Sequence, residues 1–170
     1  MIAPFAAGNR CHLISPLAFI QNPLLWIELM SKLRVNWTVA PDFAFRLVVR
    51  KFMEAKAKNI EPIAHLDLSS LKVLQNAAEP IQLDTKAIFE NAFRPYGLTN
   101  NWFAAGYGLA ESVVFVTYLT EYKVSDYKPD GSSASLVAVA HTSTFAKEQT
   151  IKIINPENFV EVGETEIGEL

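Results

Sequence analysis

Apolar residues recur at three- and four-residue spacing in three segments of the chain, which is the period of an amphipathic helix. The first segment follows Asn22 and Pro23, a candidate side-chain cap and a proline at the first helical position. The others follow Asp42 and Asp84, which are candidate caps, and Gly97 is the predicted stop of the third. The predicted core-facing positions are Leu25, Trp26, Leu29, Met30, Leu33, Phe45, Val48, Val49, Phe52, Ile88, Phe89, Ala92 and Phe93. The pattern therefore predicts three helices, each with one buried face.

Short apolar and β-branched runs alternate with these helices and predict strands at residues 12–15, 36–40, 71–74 and 102–105. Because strands separated by helices usually form parallel sheets covered on both faces, we predict an α/β fold with a mostly parallel sheet flanked by helices. After residue 112 only strand candidates follow, at 113–120, 136–140 and 151–154, with a turn-rich loop at 128–135. We therefore predict an α/β part over residues 1–112 and the start of a β-rich subdomain over residues 113–170.

The composition limits the classes of protein to which this chain can belong. The 170 residues, 50% of them hydrophobic, are enough for one sizeable core. A net charge of −3 and a pI near 5.6 give no electrostatic case for nucleic acid or an anionic membrane surface. The single cysteine, Cys11, cannot form an internal disulfide and favours a cytoplasmic location. No apolar run approaches the roughly 18 residues that predict a membrane span, and neither a transmembrane segment nor a signal peptide is expected.

Two loops that follow predicted strands carry the residue types of a nucleotide site. Residues 76–80 read N-A-A-E-P, and residues 104–112 read A-A-G-Y-G-L-A-E-S. In open α/β sheets, ligands bind at the carboxyl ends of strands, where such loops emerge. The second loop offers an aromatic face for a base, flexible glycines, a carboxylate for a metal and a hydroxyl. By themselves these residues are equally compatible with an ordinary turn.

Taken in order, the motifs resemble those of the adenylate-forming ligase superfamily, and within it the fatty acyl-AMP ligases. The resemblance is carried by L-K-V-L-Q-N-A-A-E-P at 71–80, Y-G-L-A-E at 107–111, and I-K-I-I-N-P with a later G-E-T-E-I-G-E in 151–169. Three segments of the first half, S-P-L-A-F-I-Q, P-L-L-W and P-D-F-A-F, fit the same pattern. Ala110 stands where acyl-CoA synthetases usually carry threonine, and alanine there is typical of the fatty acyl-AMP ligases. The chain departs from that family at Ala77 and Ala140, where glycine is usual, and in a shorter segment over residues 112–137.

The resemblance implies activation of a fatty acid by ATP and Mg²⁺ to an acyl-adenylate. The acyl group would then pass to the thiol of an acyl carrier protein, or to coenzyme A if the protein is an acyl-CoA synthetase. The predicted nucleotide-binding residues are Asn76, Ala77, Ala78, Glu79, Tyr107, Gly108, Glu111 and Ser112. Phe43 and Phe45 of the P-D-F-A-F segment would either line the acyl tunnel or pack in the core. Alanine at position 77 would lose the positive-φ freedom of the family's glycine.

Each of the main site residues also has an ordinary structural interpretation. Tyr107 would stack on adenine, or be an aromatic wedge at a strand end. Glu111 would act in catalysis as the magnesium ligand, or be a solvated carboxylate at a helix start, which the helix dipole favours. Ser112 would bond a phosphate or cap a helix, and we favour the cap. Asn76 would orient its loop, or be an ordinary turn residue.

The family's phosphate loop lies upstream of the matched segments, and its C-terminal lysine lies downstream of them. The resemblance therefore implies that this chain covers part of the family's large domain, and that residues 1–170 alone show no ATP–pyrophosphate exchange. The alternative is a catalytically silent homologue that serves as a binding or scaffold module, to which the alanines at 77 and 140 point. The three histidines have no cysteine or carboxylate at ligand spacing, so a zinc site is not expected.

Overall fold

A computed structural model of the chain describes residues 8–110, 116–121, 123–127, 134–139, 151–163, 166 and 168. The helices are α1 (Pro16–Gln21), α2 (Leu24–Lys32), α3 (Asp42–Ala57) and α4 (Thr85–Phe93), and a 3-10 helix, Arg94–Tyr96, follows α4. The strands are β1 (Trp37–Ala40), β2 (Val73–Asn76), β3 (Phe103–Tyr107), β4 (Thr117–Leu119), β5 (Val124–Tyr127) and β6 (Ala134–Val137). Within these residues, no helix combines the length and the apolar character that crossing a bilayer requires.

Four of the strands form one sheet in the order β1-β2-β3-β4. The first three run parallel, and β4 runs antiparallel to β3. In the chain α3 lies between β1 and β2, and α4 lies between β2 and β3, because parallel neighbours need a crossover connection. The predicted α/β fold with a mostly parallel sheet flanked by helices is therefore confirmed.

An aromatic cluster holds α3 and α4 against the start of β3. Trp102 is fully buried, and its ring centroid lies 5.0 Å from that of Phe89 and 5.4 Å from that of Phe103. Phe45 of α3 meets Phe89 edge-on, with 5.4 Å between the ring centroids. The residues buried on the predicted faces of α3 and α4 are Phe45, Val48, Val49, Phe52, Phe89, Ala92 and Phe93. The helical periodicity thus identified the inward faces of both helices.

The buried face of α2 agrees with the prediction at Trp26 and Met30 but not at the three leucines. Its buried residues are Trp26, Ile27 and Met30. Leu25 and Leu29 are only half-buried, and Leu33 is 42% exposed. Trp26 packs edge-on against Phe45 of α3, with 5.7 Å between the ring centroids. An aromatic ring buries more apolar area than a leucine side chain. The contact of Trp26 with Phe45, and not the spacing of the leucines, therefore determines which face of α2 is buried.

The three predicted side-chain caps do not form on their own helices. Asn22 contributes its backbone carbonyl, which accepts from an N–H of α2 at 3.1 Å. The Asp42 carboxylate accepts from Asn76 at the end of β2. The Asp84 carboxylate accepts from the guanidinium of Arg46 in α3, and this hydrogen bond lowers the pKa of Asp84. Both acidic residues join separate elements, which a local cap pattern cannot reveal.

Two predicted strands at the ends of the chain are wrong. Residues 12–15 have no regular structure, and α1 begins directly at Pro16, since proline fits the first helical turn. In the segment 151–154 only Ile154 forms an isolated bridge, to Glu161. The strands β4 and β6 overlap the predictions at 113–120 and 136–140, of which residues 113–115 and 140 lie outside the described residues. The division of the chain at residue 112 stays a prediction.

Candidate functional site

The two motif loops leave neighbouring strands at the same edge of the sheet. Asn76, the last residue of β2, pairs with Ala105 of β3, and Tyr107 ends β3 two residues later. Residues two apart in a strand lie on the same face, so Tyr107 leaves the sheet on the face that carries Asn76. The paired ends of β2 and β3 thus bring the starts of both loops side by side at the carboxyl edge.

Tyr107 and Gly108 both lie at the surface at this edge. Tyr107 is 41% exposed although it belongs to a strand whose other four residues are buried. Gly108 is exposed as well. A half-exposed ring at the carboxyl end of a parallel strand is accessible to a flat ligand. Glu111 and Ser112, the predicted metal-binding and phosphate-binding residues, lie outside the described residues.

Gly106 belongs to the strand rather than to the loop that follows it. It is buried in β3, and the side chain of Gln75 crosses it from β2. A Cβ atom at position 106 would lie 2.0 Å from Nε2 of Gln75, so a larger residue would force the end of that side chain to move. The interpretation of the glycines as flexible did not reveal this contact with the neighbouring strand.

The loop of residues 76–80 has its strained backbone position at Ala78. Ala78 has a φ of 77°, in the left-handed region that disfavours residues with a Cβ atom. Ala77 is not among the described residues with positive φ, and its N–H donates to the carbonyl of Ala40 at 3.2 Å. Alanine at position 77 is therefore not strained in this fold, because the turn adopts a positive φ one residue later, at Ala78.

Replacing Ala78 by glycine is expected to stabilise the chain by about 0.5–1 kcal/mol, because relief of the left-handed strain exceeds the entropy cost of glycine. Urea unfolding followed by circular dichroism measures the change. Ala77→Gly is the matched control and is expected to destabilise by roughly 0.4–1 kcal/mol, since it only adds freedom to the unfolded chain. Destabilisation by Ala78→Gly equal to that of the control would contradict the assigned strain.

Asn76 is fully buried and bonds to the start of α3. Its Nδ2 donates to Oδ1 of Asp42 at 2.8 Å, and Asp42 is 2% exposed. The buried Oδ1 of Asn76 has no hydrogen-bond partner among the described residues. This contact favours the interpretation that Asn76 orients its loop, because its side chain does not reach the surface.

Glu79 also reaches α3. Its Oε1 accepts a hydrogen bond from the backbone N–H of Phe43, with an N–O distance of 2.6 Å. The sequence analysis considered the backbone of this segment and missed the role of the Glu79 side chain. Since 36 residues separate the two partners, no local pattern could have revealed it.

Phe43 and Phe45, the two candidates for a tunnel wall, lie in different environments. Phe45 is fully buried in the aromatic cluster, which is core packing. Phe43 is 47% exposed, and its ring lies edge-on to Phe19 of α1 with 6.3 Å between the centroids. Of the two, only Phe43 presents surface to a ligand.

The described residues contain no group of three or more histidine, cysteine or acidic side chains that could hold a metal ion. This finding leaves the predicted magnesium ligand, Glu111, untested. The carboxylate of Glu79 is engaged by the Phe43 N–H, and that of Asp42 by Asn76. The described part of the site therefore consists of the loop of residues 76–80 beside the half-exposed ring of Tyr107.

Comparison with known proteins identifies the family. The sequence matches the family of AMP-binding enzymes over residues 1–170. It is 32% identical over 186 residues to "Probable long-chain-fatty-acid–AMP ligase FadD30" of Mycobacterium tuberculosis, covering 100% of this chain and 30% of the relative. It is 33% identical over 117 residues to the medium-chain-fatty-acid–[acyl-carrier-protein] ligase JamA of Moorena producens, covering 69% of this chain and 19% of the relative.

A solved structure has the same fold. It is a fatty acyl-adenylate ligase from L. pneumophila in complex with acyl adenylate and pyrophosphate, with a TM-score of 0.80 and 28% identity. The match covers 98% of this chain and 30% of that one, so the chain spans about 30% of the length of the proteins it resembles. Since the family match extends over every residue and the fold agrees, the chain belongs to the family of AMP-binding enzymes.

Proposed function

We propose that this protein is an ATP-dependent fatty acyl-AMP ligase. In this reaction a carboxylate oxygen of the fatty acid attacks the α-phosphorus of ATP. The bond between the α-phosphorus and the bridging oxygen breaks, and acyl-adenylate and pyrophosphate form. The acyl group then passes to a thiol, and AMP leaves.

One observation carries the proposal: the two loops that hold the family motifs start from paired positions of neighbouring parallel strands. N-A-A-E-P begins at Asn76 and Y-G-L-A-E begins two residues beyond Ala105, its partner. Carboxyl ends of parallel strands are where α/β proteins bind nucleotides. The solved relative from L. pneumophila contains an acyl adenylate and a pyrophosphate, and it aligns over 98% of this chain.

In this proposal the site residues bind and position the nucleotide. Tyr107 stacks on the adenine ring, for which its 41% exposure leaves a face available. Gly108 keeps the chain beside that ring free of a side chain. Asn76 orients the loop, and the backbone of Ala77, Ala78 and Glu79 lines the adenine and ribose. Ser112 bonds a phosphate or caps a helix.

Glu111 is the proposed ligand of a magnesium ion on the ATP phosphates, because a carboxylate oxygen is the donor that this hard cation prefers. The ion would neutralise charge that develops on the phosphate oxygens during the attack.

The acceptor of the acyl group is proposed to be the thiol of an acyl carrier protein, with coenzyme A as the alternative. The relative JamA is named as a ligase for an acyl carrier protein, and FadD30 is named as a fatty-acid–AMP ligase. Ala110, typical of the fatty acyl-AMP ligases, points the same way. A cytoplasmic location, favoured by the single cysteine, stays a prediction.

The test uses the protein expressed from its complete reading frame, with exchange of labelled pyrophosphate into ATP measured in the presence of dodecanoate. We expect exchange, and we expect Tyr107→Ala to raise KM for ATP by about tenfold, because stacking of a base on an aromatic ring contributes about 1–3 kcal/mol. Tyr107→Phe keeps the ring and is expected to leave KM near that of the unaltered protein.

The possible results of this test distinguish between the candidate functions. Equal KM values for the alanine and phenylalanine variants would remove Tyr107 from the adenine site. Nucleotide binding without exchange would favour the catalytically silent homologue. Transfer of the acyl group to coenzyme A, but not to a carrier-protein thiol, would favour an acyl-CoA synthetase.

A further inference from the structure

The loop of residues 76–80 is bound to the end of β1 and the first turn of α3 by three hydrogen bonds. Asn76 Nδ2 donates to Asp42 Oδ1 at 2.8 Å, and the Phe43 N–H donates to Glu79 Oε1 at 2.6 Å. Between them, the Ala77 N–H donates to the carbonyl of Ala40 at 3.2 Å. The beginning, middle and end of the loop are therefore each attached to residues 40–43.

Glu79 provides what α3 lacks in its own sequence. The first N–H groups of a helix have no partner within the helix. The residue at the cap position is Pro41, which forms no side-chain capping bond. The Glu79 carboxylate accepts from one of these N–H groups, and the helix dipole favours a negative charge at this end. Glu79 thus acts as a remote cap that fixes the loop to the helix.

Phe43, the residue whose N–H is capped, also contacts α1 through its ring. The backbone of Phe43 is held by Glu79, while its ring is 47% exposed and lies edge-on to Phe19. A ligand that contacts this ring therefore contacts a residue whose backbone N–H is bonded to the loop of residues 76–80. Because the bond to Glu79 joins the first turn of α3 to that loop, a shift of this turn on ligand binding would also shift residues 77–79.

We infer that Glu79 is a positioning residue that couples an acyl chain at Phe43 to the nucleotide loop. This inference rests on the proposed function, and it assigns to the Glu79 side chain no contact with either substrate. Coupling of two sites is reciprocal, so a fatty acid and a nucleotide would change each other's affinity by the same factor. The remote cap is the link that carries the effect.

The experiment measures the Kd of α,β-methylene-ATP with and without saturating dodecanoate, in the protein expressed from its complete reading frame. We expect dodecanoate to change the Kd by about fivefold in the unaltered protein. In Glu79→Ala the factor is expected to fall to about one. In Glu79→Gln it is expected to be largely retained, because the amide oxygen still accepts from the Phe43 N–H.

A second measurement, hydrogen exchange of the Phe43 amide, reports the bond itself. Glu79→Ala is expected to accelerate this exchange by about tenfold, and Glu79→Gln to change it little. Glu28→Ala is the matched control, since it removes a carboxylate from the exposed side of α2, where Glu28 pairs only with Lys32 in the described structure. It is expected to leave both the coupling factor and the exchange rate unchanged.

Failure of this inference and failure of the proposed function give different results. An unaltered protein that binds both ligands with a factor of one would overturn the coupling and leave the proposed ligase function intact. A Glu79→Ala variant that keeps the fivefold factor, or keeps slow exchange at Phe43, would also overturn the role of Glu79. No binding of α,β-methylene-ATP by the unaltered protein would overturn the proposed function and this inference together.

Discussion

Replacing Trp102 by alanine is expected to lower the free energy of unfolding by about 3–5 kcal/mol, the usual loss for a large aromatic side chain in a core. Trp102 has no exposed surface, and its ring contacts Phe45, Phe89 and Phe103. Its Nε1 also donates to Oε1 of Glu90 at 3.2 Å. The substitution therefore leaves a cavity at the junction of α3, α4 and β3, together with an acceptor that has lost a donor.

Urea unfolding, followed by far-ultraviolet circular dichroism, measures this loss. Trp37→Ala is the matched control, because Trp37 lies in the edge strand β1 and is 53% exposed. We expect that control to change the free energy by less than about 1 kcal/mol. Similar losses for the two variants would mean that the aromatic cluster is not the centre of the core.

Asn76→Asp is the second substitution with a large expected effect. It places a carboxylate against the carboxylate of Asp42, at a position where the present amide donates at 2.8 Å. Both side chains are buried, with exposed fractions of 0% and 2%, so little water screens the repulsion. We expect a loss of about 3–5 kcal/mol at neutral pH, the range found when a buried charge loses its partner.

Two further measurements separate this repulsion from a simple packing defect. The loss is expected to shrink in acid, because uptake of a proton by one of the two carboxylates restores a donor. The double variant Asp42→Asn with Asn76→Asp exchanges the donor and the acceptor, and it is expected to recover more than half of the loss. A loss that is independent of pH, or a double variant no more stable than Asn76→Asp, would contradict the assigned hydrogen bond.

The hydrogen bond between Asn76 and Asp42 links the position of the loop after β2 to the position of α3. Asn76 ends β2, Asp42 begins α3, and 34 residues separate them in the chain. An acidic residue before an apolar helical pattern predicts a side-chain cap, as at Asp42. The folded chain uses the carboxylate to hold a strand end, because β1 and β2 are paired and bring Ala40 beside Asn76.

The regular elements were largely predictable, since their signals are local. The inward faces of α3 and α4 follow from apolar residues three and four positions apart, and all of those residues except the half-buried Ile88 are buried. In α2 the prediction holds for Trp26 and Met30 but not for the leucines, because the packing of Trp26 on Phe45 outweighs the leucine spacing. Local periodicity identifies a stripe when apolar residues are confined to it, and α2 is apolar on more than one side.

The candidate site also has some features that the sequence predicts and others that it does not. The positions of Tyr107 and of the loop at 76–80, each at the carboxyl end of a strand, followed from the order of motifs along the chain. The strained residue of that loop, Ala78 rather than Ala77, and the crossing of Gln75 over Gly106 did not. The crossing depends on a side chain of the neighbouring strand, and the backbone of the loop is bonded to residues 40–43, so no spacing within one segment encodes either feature.

The alternation of helices and strands, the α/β class and the family could be predicted from the amino-acid sequence, because these depend on local periodicity and on the order of short motifs. The side chains that meet at the start of α3 could be identified only from the folded chain. Those contacts join residues 34 and 36 positions apart, and they exist because parallel pairing of β1 with β2 places the loop after β2 over the helix that follows β1. The Glu79 carboxylate therefore became a helix cap through the geometry of the sheet.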